Sequence, residues 1–180
     1  MINVRVDRKS NFKKFDERLK KATKLAAYVG VPSTTAEARS SQLLKMAGAT
    51  QGKKRKRIEK AAAEGINNAE ALFIFSKGSP ARNQPAREVL DPSIKANHEK
   101  ISVEIAESVS ANLKGDQDGA IRGMNRAALA GQNAARSWFT DPRNGWAPNA
   151  ARTIKQKGSD RPGIDSGAMR NAIVGVVADE

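Results

Sequence analysis

Ile2, Val4 and Val6 alternate with polar residues, the period of a half-buried strand, and predict one over residues 1–6. The period then lengthens. Phe12, Phe15, Leu19 and Ala22 recur at helical spacing, which predicts a helix over 11–24 capped by Ser10, with that face packed in a core. Ala26 to Val31, closed by Pro32, reads as a strand. A helix from Ala36 to Met46, capped by Thr35, brings Leu43, Leu44 and Met46 to apolar contacts and gives way at Gly48–Gly52. Residues 66–75 suit a helix capped by Asn67 or Asn68, with Ala69, Leu72 and Phe73 on its buried side; a further strand near 72–77 is the alternative. From Asp91-Pro92-Ser93 onward, Ile94, Ile101, Ile105, Val109 and Leu113 keep one stripe down to Gly115, predicting a helix over 94–114. Ile121, Met124, Ala128, Gly131, Ala135 and Trp138 repeat at spacings of three and four, predicting a second long helix over 118–139. Its small central residues admit close approach of another backbone, read as intramolecular core ahead of an oligomer seam. Residues 149–165 read as an ordered loop, in which Pro162 fixes its own φ. Asp165 or Ser166 then caps a single helical turn, and the β-branched run Ile173, Val174, Val176 and Val177 forms a strand over 172–178.

These elements predict an α+β fold over residues 1–180 as a single domain. A small, mostly antiparallel sheet from 1–6, 26–31 and 172–178 is packed by two or three long helices. Residues 33–65 fit least and are expected as a basic excursion, an extended arm or loop. The core is lean, because aromatics make up only 4% and much of the 39% apolar content is alanine. Alanine gains little on burial, so part of the stability is expected to come from partner subunits.

Charge sharpens the picture. The net charge is +13, and residues 1–60 hold 17 Lys/Arg against 5 Asp/Glu, a net of +12. This asymmetry suggests a nucleic-acid or acidic-protein partner for the first third; the plainer reading is a set of solvated lysine-rich faces. Lys53-Lys54-Arg55-Lys56-Arg57 is the densest stretch. Like charges repel, so it is expected as an exposed, mobile loop, with contact to DNA phosphates as the alternative.

The chain has no cysteine, which excludes disulfides, thiolate metal sites and cysteine nucleophiles. No apolar run approaches the ~20 residues of a membrane span, and the N-terminus lacks a signal-peptide core. His98 is the single histidine, and Glu99 beside it on a helix points elsewhere. Asp116 and Asp118 flank a turn and suit helix capping better than calcium, and no phosphate-binding glycine loop follows a strand. The expectation is a protein with no enzymatic activity, no cofactor and no metal.

Two blocks carry a resemblance. The first is Asn68, Ala69, Ile74, Gly78-Ser79-Pro80, Arg82, Pro85-Ala86-Arg87, Leu90 and Pro92. The second is Thr153-Ile154, Lys157-Gly158-Ser159-Asp160, Pro162, Ile164-Asp165-Ser166-Gly167, Met169-Arg170-Asn171 and Ile173, preceded by Trp146-Ala147-Pro148-Asn149. In this order, and with the strand ending Val29-Gly30-Val31-Pro32, they resemble the tail-completion, or neck, proteins of tailed bacteriophages. The likeness covers roughly 26–32 and 66–178. Ser76, Gln84 and Glu88-Val89 depart from the family pattern, as does Gly163, which stands where the family has leucine and is expected to loosen a packing contact.

The resemblance implies a structural virion protein at the head–tail interface, assembled in the host cytoplasm. It would form a ring of six copies, or of twelve, around the DNA channel. Its implied partners are itself, portal-side adaptor or connector proteins, tail tube or tail terminator proteins and, non-specifically, packaged DNA; no membrane is involved. Lys53, Lys54, Arg55, Lys56, Arg57, Arg82, Arg87, Lys157, Asp160 and Arg170 are the candidate interaction residues, with Arg82 and Arg87 suited to paired hydrogen bonds with a neighbour's carboxylates. The rival reading is a basic histone-like or regulatory nucleic-acid-binding protein.

Overall fold

The computed structural model describes residues 8–32, 36–63 and 65–179, so the strand expected over 1–6 and the Thr35 cap lie outside the described residues. In chain order the elements are α1 (Arg8–Lys24), β1 (Leu25–Gly30), α2 (Ala36–Gly48), α3 (Gly52–Ala63), α4 (Asn68–Lys77), α5 (Leu90–Ala96), α6 (His98–Lys114), α7 (Gln117–Trp138), α8 (Ala151–Lys157), α9 (Ala168–Asn171) and β2 (Val174–Asp179). The fold is α+β and mostly helical, with β1 and β2 paired antiparallel in a two-stranded sheet packed against helices.

Several expectations need correcting. α2 is the helix expected over Ala36–Met46, extended to Gly48; the correction lies after it, where α3 pairs with α2 in place of the basic arm or loop expected within 33–65. Leu43 and Ala47 of α2 interlock with Ile58 and Ala62 of α3, Ala168 joins them, and Ser40 Oγ donates to Ala62 O at 3.1 Å. That apolar contact, absent from a purely electrostatic view of the segment, holds the helix. Residues 72–77 belong to α4 and not to a strand, because Asn67 and Glu70 form a reciprocal capping box at its start. α1 begins at Arg8, so Ser10 lies inside it. The helix expected over 94–114 breaks at Asn97 into α5 and α6. α8 occupies part of the expected C-terminal loop and is closed by Gly158, whose N–H donates to Ile154 O at 2.8 Å. The turn α9 starts after Gly167 with no side-chain cap, and Ser166 Oγ accepts from the Ala168 N–H at 3.2 Å.

The chain groups into two compact units, one of Met1–Tyr28, His98–Ala130 and Gly175–Glu180, the other of Val29–Asn97 and Gly131–Val174. The first is built on small residues. Gly123 of α7 lies against Ser108 of α6 so closely that a Cβ there would sit 2.8 Å from Ser108 Cα. Ser108 Oγ donates to Ala120 O at 2.6 Å, which satisfies the buried hydroxyl. Asp116 Oδ1 caps α7 through the Gly119 N–H at 2.8 Å, as the sequence suggested. α1 packs on α6, with Arg18 Nη1 donating to Leu113 O at 3.0 Å. Among its described residues, this unit buries Ala120, Ala127, Ala128 and one larger apolar side chain, Met124. Ile101, Val109 and Leu113 are half-buried, but many of its bulky side chains lie outside: Phe12 is 75% exposed, Phe15 and Leu19 nearly half, and Val103, Ile105, Ile121 and Leu129 are exposed too. The helical spacing of Phe12, Phe15 and Leu19 is therefore right and their expected burial is not.

The second unit holds the large core of Leu72, Phe75, Val89, Ala135, Trp138, Phe139 and Ile173, and beside it the smaller α2–α3 cluster.

Candidate functional site

The three stretches that carry the resemblance meet in the second unit. Val29 and Val31 from the first, Phe75, Val89 and Leu90 from the second, and Trp146, Ile164, Met169 and Ile173 from the third pack around Ala135, Trp138 and Phe139. Aromatic rings form the junction. Trp146 meets Phe75 edge-on at 5.2 Å between centroids and Phe139 edge-on at 5.6 Å, while Phe75 and Phe139 stack at 5.8 Å. Trp146 Nε1 donates to Glu88 O at 3.2 Å, so the indole N–H keeps a partner.

Gly163 is the residue expected to loosen this packing, and it does the opposite. Its φ is +70°, and a Cβ on it would come 2.7 Å from Phe75 Cζ and 2.8 Å from Phe139 Cε1. Glycine lets the two rings approach the backbone directly. The Gly78–Arg87 stretch is the rigid connection its glycine and prolines implied. Ser79 and Gln84 exchange both backbone hydrogen bonds, at 2.9 and 3.0 Å, around a tight turn over Pro80–Arg82.

Arginines expected to face partners are spent inside the fold. Arg87 is buried over the Phe75 ring; its Nε and Nη2 donate to Ala147 O at 3.2 and 2.8 Å, and Nη2 also reaches Pro148 O at 3.3 Å. Burial pushes its pKa down. Its expected pairing with a neighbour's carboxylate is thus replaced by contact with this chain's own carbonyls. Arg170 Nε donates to Arg136 O at 2.7 Å, and Arg136 returns bonds to Ile173 O and Asn171 O at 2.9 and 2.8 Å. Sequence reasoning passed over Arg136, because an arginine on a helix edge carries no signal of where its fork will land. Lys157 Nζ donates to Arg161 O at 2.9 Å. Burial lowers the Lys157 pKa; Asp165 and Asp160 oppose the shift, and Arg57 and Arg87 add to it. Asp160 is exposed, and its main-chain oxygen accepts from Asn149 Nδ2 at 2.9 Å. The side chain of Arg82 lies outside the described residues.

The cation run Lys53–Arg57 sits on α3 and is divided around it. Arg55 Nε pairs with Glu59 at 2.8 Å. Arg57 is half-buried, donates to Gln156 O at 2.8 Å and pairs with Asp165. Lys53 and Lys56 point to solvent with Lys60, a residue outside the run; the side chain of Lys54 is not among those described. A half-open cavity of about 440 Å³ lies beside this helix, its lining including Leu43, Ile58, Met169 and the Arg57–Asp165 pair. Lys60 also lines it, so the Arg57–Asp165 pair balances itself and the recess keeps one further cation on its wall. Among the described residues no three His, Asp or Glu side chains are placed to hold a metal ion, and no helix is long and apolar enough to cross a membrane.

Compared with protein-family models, curated protein sequences and solved structures, the chain matches none of them.

Proposed function

We propose that this chain is a structural subunit of the neck of a tailed bacteriophage, joining the portal side of the head to the tail as a ring of six or twelve copies around the DNA channel. One observation carries the reading. The segments that resemble neck proteins, distant in sequence, converge on a single aromatic core, and three of their polar side chains bind this chain's own carbonyls: Arg87 those of Ala147 and Pro148, Arg170 that of Arg136, Trp146 that of Glu88. A signature spent on packing fits a protein selected for its shape. The large apolar side chains outside the first unit add support, since a neighbouring copy would cover them on assembly. Portal-side and tail-side proteins would take the two ends of the ring.

The test is localisation and loss. The protein should co-purify with virions and be labelled at the head–tail junction, and its deletion should leave filled heads and free tails that do not join. Its absence from purified particles, or normal joining without it, overturns the reading. The rival, a histone-like or regulatory nucleic-acid binder, draws on the exposed lysines of α1 and α3. It predicts micromolar or tighter binding of the free chain to duplex DNA at physiological salt, at or beyond the tight end of the usual non-specific range of about 10⁻⁴–10⁻⁶ M.

A further inference from the structure

We infer that α3 carries a preformed contact for the phosphate backbone of duplex nucleic acid, made by the lysine stripe Lys53, Lys56 and Lys60 and not by the five-residue cation run as a whole. The inference stands apart from the neck reading, because it rests on a segment the resemblance does not cover.

Position on the helix separates the charges. At 100° per residue, Lys53, Lys56 and Lys60 fall within about 60° of one another, at successive offsets of three and four. Ile58 and Ala62 lie on the opposite side and are 3% and 8% exposed, packed on Leu43 and Ala47. Thr50 Oγ1 closes the end of α2 on Met46 O and Ala47 O, and Gly52 at φ +66° turns the chain into α3. Arg57 fastens the helix through Gln156 O and Asp165. The stripe is therefore held on a packed helix, and its geometry exists before any ligand arrives.

The spacing suits one strand of a duplex. Seven residues of helix rise about 10.5 Å, and phosphates follow at about 3.4 Å of axial rise per strand, so the stripe matches the span of about three phosphates. The chemistry favours a polyanion over a protein surface. Protein interfaces are enriched in arginine and aromatic anchors and depleted in lysine. Here the described exposed cations of the face are lysines, while Arg55 and Arg57 are held by Glu59 and Asp165. The stripe also carries none of the Asn, Gln or Arg side chains that pair with base edges through two hydrogen bonds, and a lysine ammonium acts as a point charge on phosphate. Contact is non-specific and electrostatic.

The experiment measures affinity for a random-sequence duplex by fluorescence anisotropy, using the whole chain, between about 50 and 200 mM salt, where each neutralised phosphate adds about 0.9 to the slope of log K against log salt. The triple variant Lys53→Gln/Lys56→Gln/Lys60→Gln should lower that slope by about 2.7, so that its deficit at the low-salt end exceeds that at the high-salt end by about 40-fold. Lys60→Gln alone should remove about 0.9, and serves if the triple variant folds poorly. Arg55→Gln should leave the slope within about 0.5, and so should the charge-matched control Lys13→Gln/Lys21→Gln/Lys24→Gln on α1, if the stripe and not net charge carries binding. An unchanged slope in the α3 variants, or an equal loss in the α1 control, overturns the inference. So does intact duplex binding by an α3 variant that has lost attachment to an acidic protein partner, which would assign the stripe to that partner.

Discussion

Adding one methyl group at Gly163 tests the packing argument most sharply. The Gly163→Ala variant meets two penalties. The first is conformational: φ is +70°, and an L-residue held in the left-handed region costs about 1–2 kcal/mol. The second is steric: the new carbon would lie 2.7–2.9 Å from Phe75 Cζ and from Phe139 Cε1 and Cδ1, distances that ordinary Cβ atoms do not show, and over-filling a packed core costs about 1–3 kcal/mol. Neither ring has an easy retreat, because each is pinned edge-on by Trp146. Gly158 supplies the control. Its φ is +71°, and a Cβ there would have nothing within 4 Å. Gly158→Ala therefore carries the conformational penalty alone, about 1–2 kcal/mol, and Gly163→Ala should total about 2–5 kcal/mol. Urea denaturation followed by tryptophan fluorescence reads both, since Trp138 and Trp146 report on this core. Equal losses in the two variants would refute the claim that the rings occupy the space.

Three further outcomes follow from contacts already described. Arg87→Lys keeps the charge and loses the fork that reaches Ala147 O and Pro148 O; stability should fall by about 2–3 kcal/mol in the same denaturation assay, and a loss below about 0.5 would contradict the assignment. Gly123→Ala should destabilise by about 1 kcal/mol or more although alanine is the better helix former by about 1 kcal/mol; a stabilised variant would mean that α6 and α7 do not meet at Ser108. The Lys157 pKa is held below its unfolded value by burial, so in the window between the two pKa values the unfolded chain binds more protons and stability rises with pH. Urea midpoints of the parent should accordingly gain on those of Lys157→Gln as pH climbs through that alkaline window, and a parallel pair of curves would rule this out.

What could be read from the sequence divides along physical lines. β2 and α7 were legible because a β-branched run and three–four spacing report local geometry directly, and β1 because a short apolar segment is closed by Pro32. The Phe12, Phe15 and Leu19 stripe was legible as a helix face and misread as core, since periodicity identifies a face without saying what covers it. The Leu72–Phe75 apolar run suits either helix or strand alone, and the choice lay upstream in Asn67 and Glu70. The cation run was misjudged because repulsion was weighed along the chain; a helix spreads consecutive charges around its circumference, and Ile58 and Ala62 supply the anchor. α8 had a signal that was passed over: lysines at 155 and 157 followed by glycine at 158, the usual ending of a helix. The fate of Arg87 had none, because its carbonyl partners lie 60 and 61 residues away.

The meeting of α6 and α7 at Ser108 and Gly123 has a bearing on how such a protein can change. Their distance is fixed by main-chain atoms, so it owes little to the bulk of any side chain. Val103, Ile121 and Leu129 can be exchanged on the outer surfaces without altering the gauge of the pair. The scaffold and its outward faces are thereby uncoupled. Replacing what the molecule adheres to needs new paint on an old frame, and the frame itself tolerates almost no revision at the point where the main chains of its two bars meet.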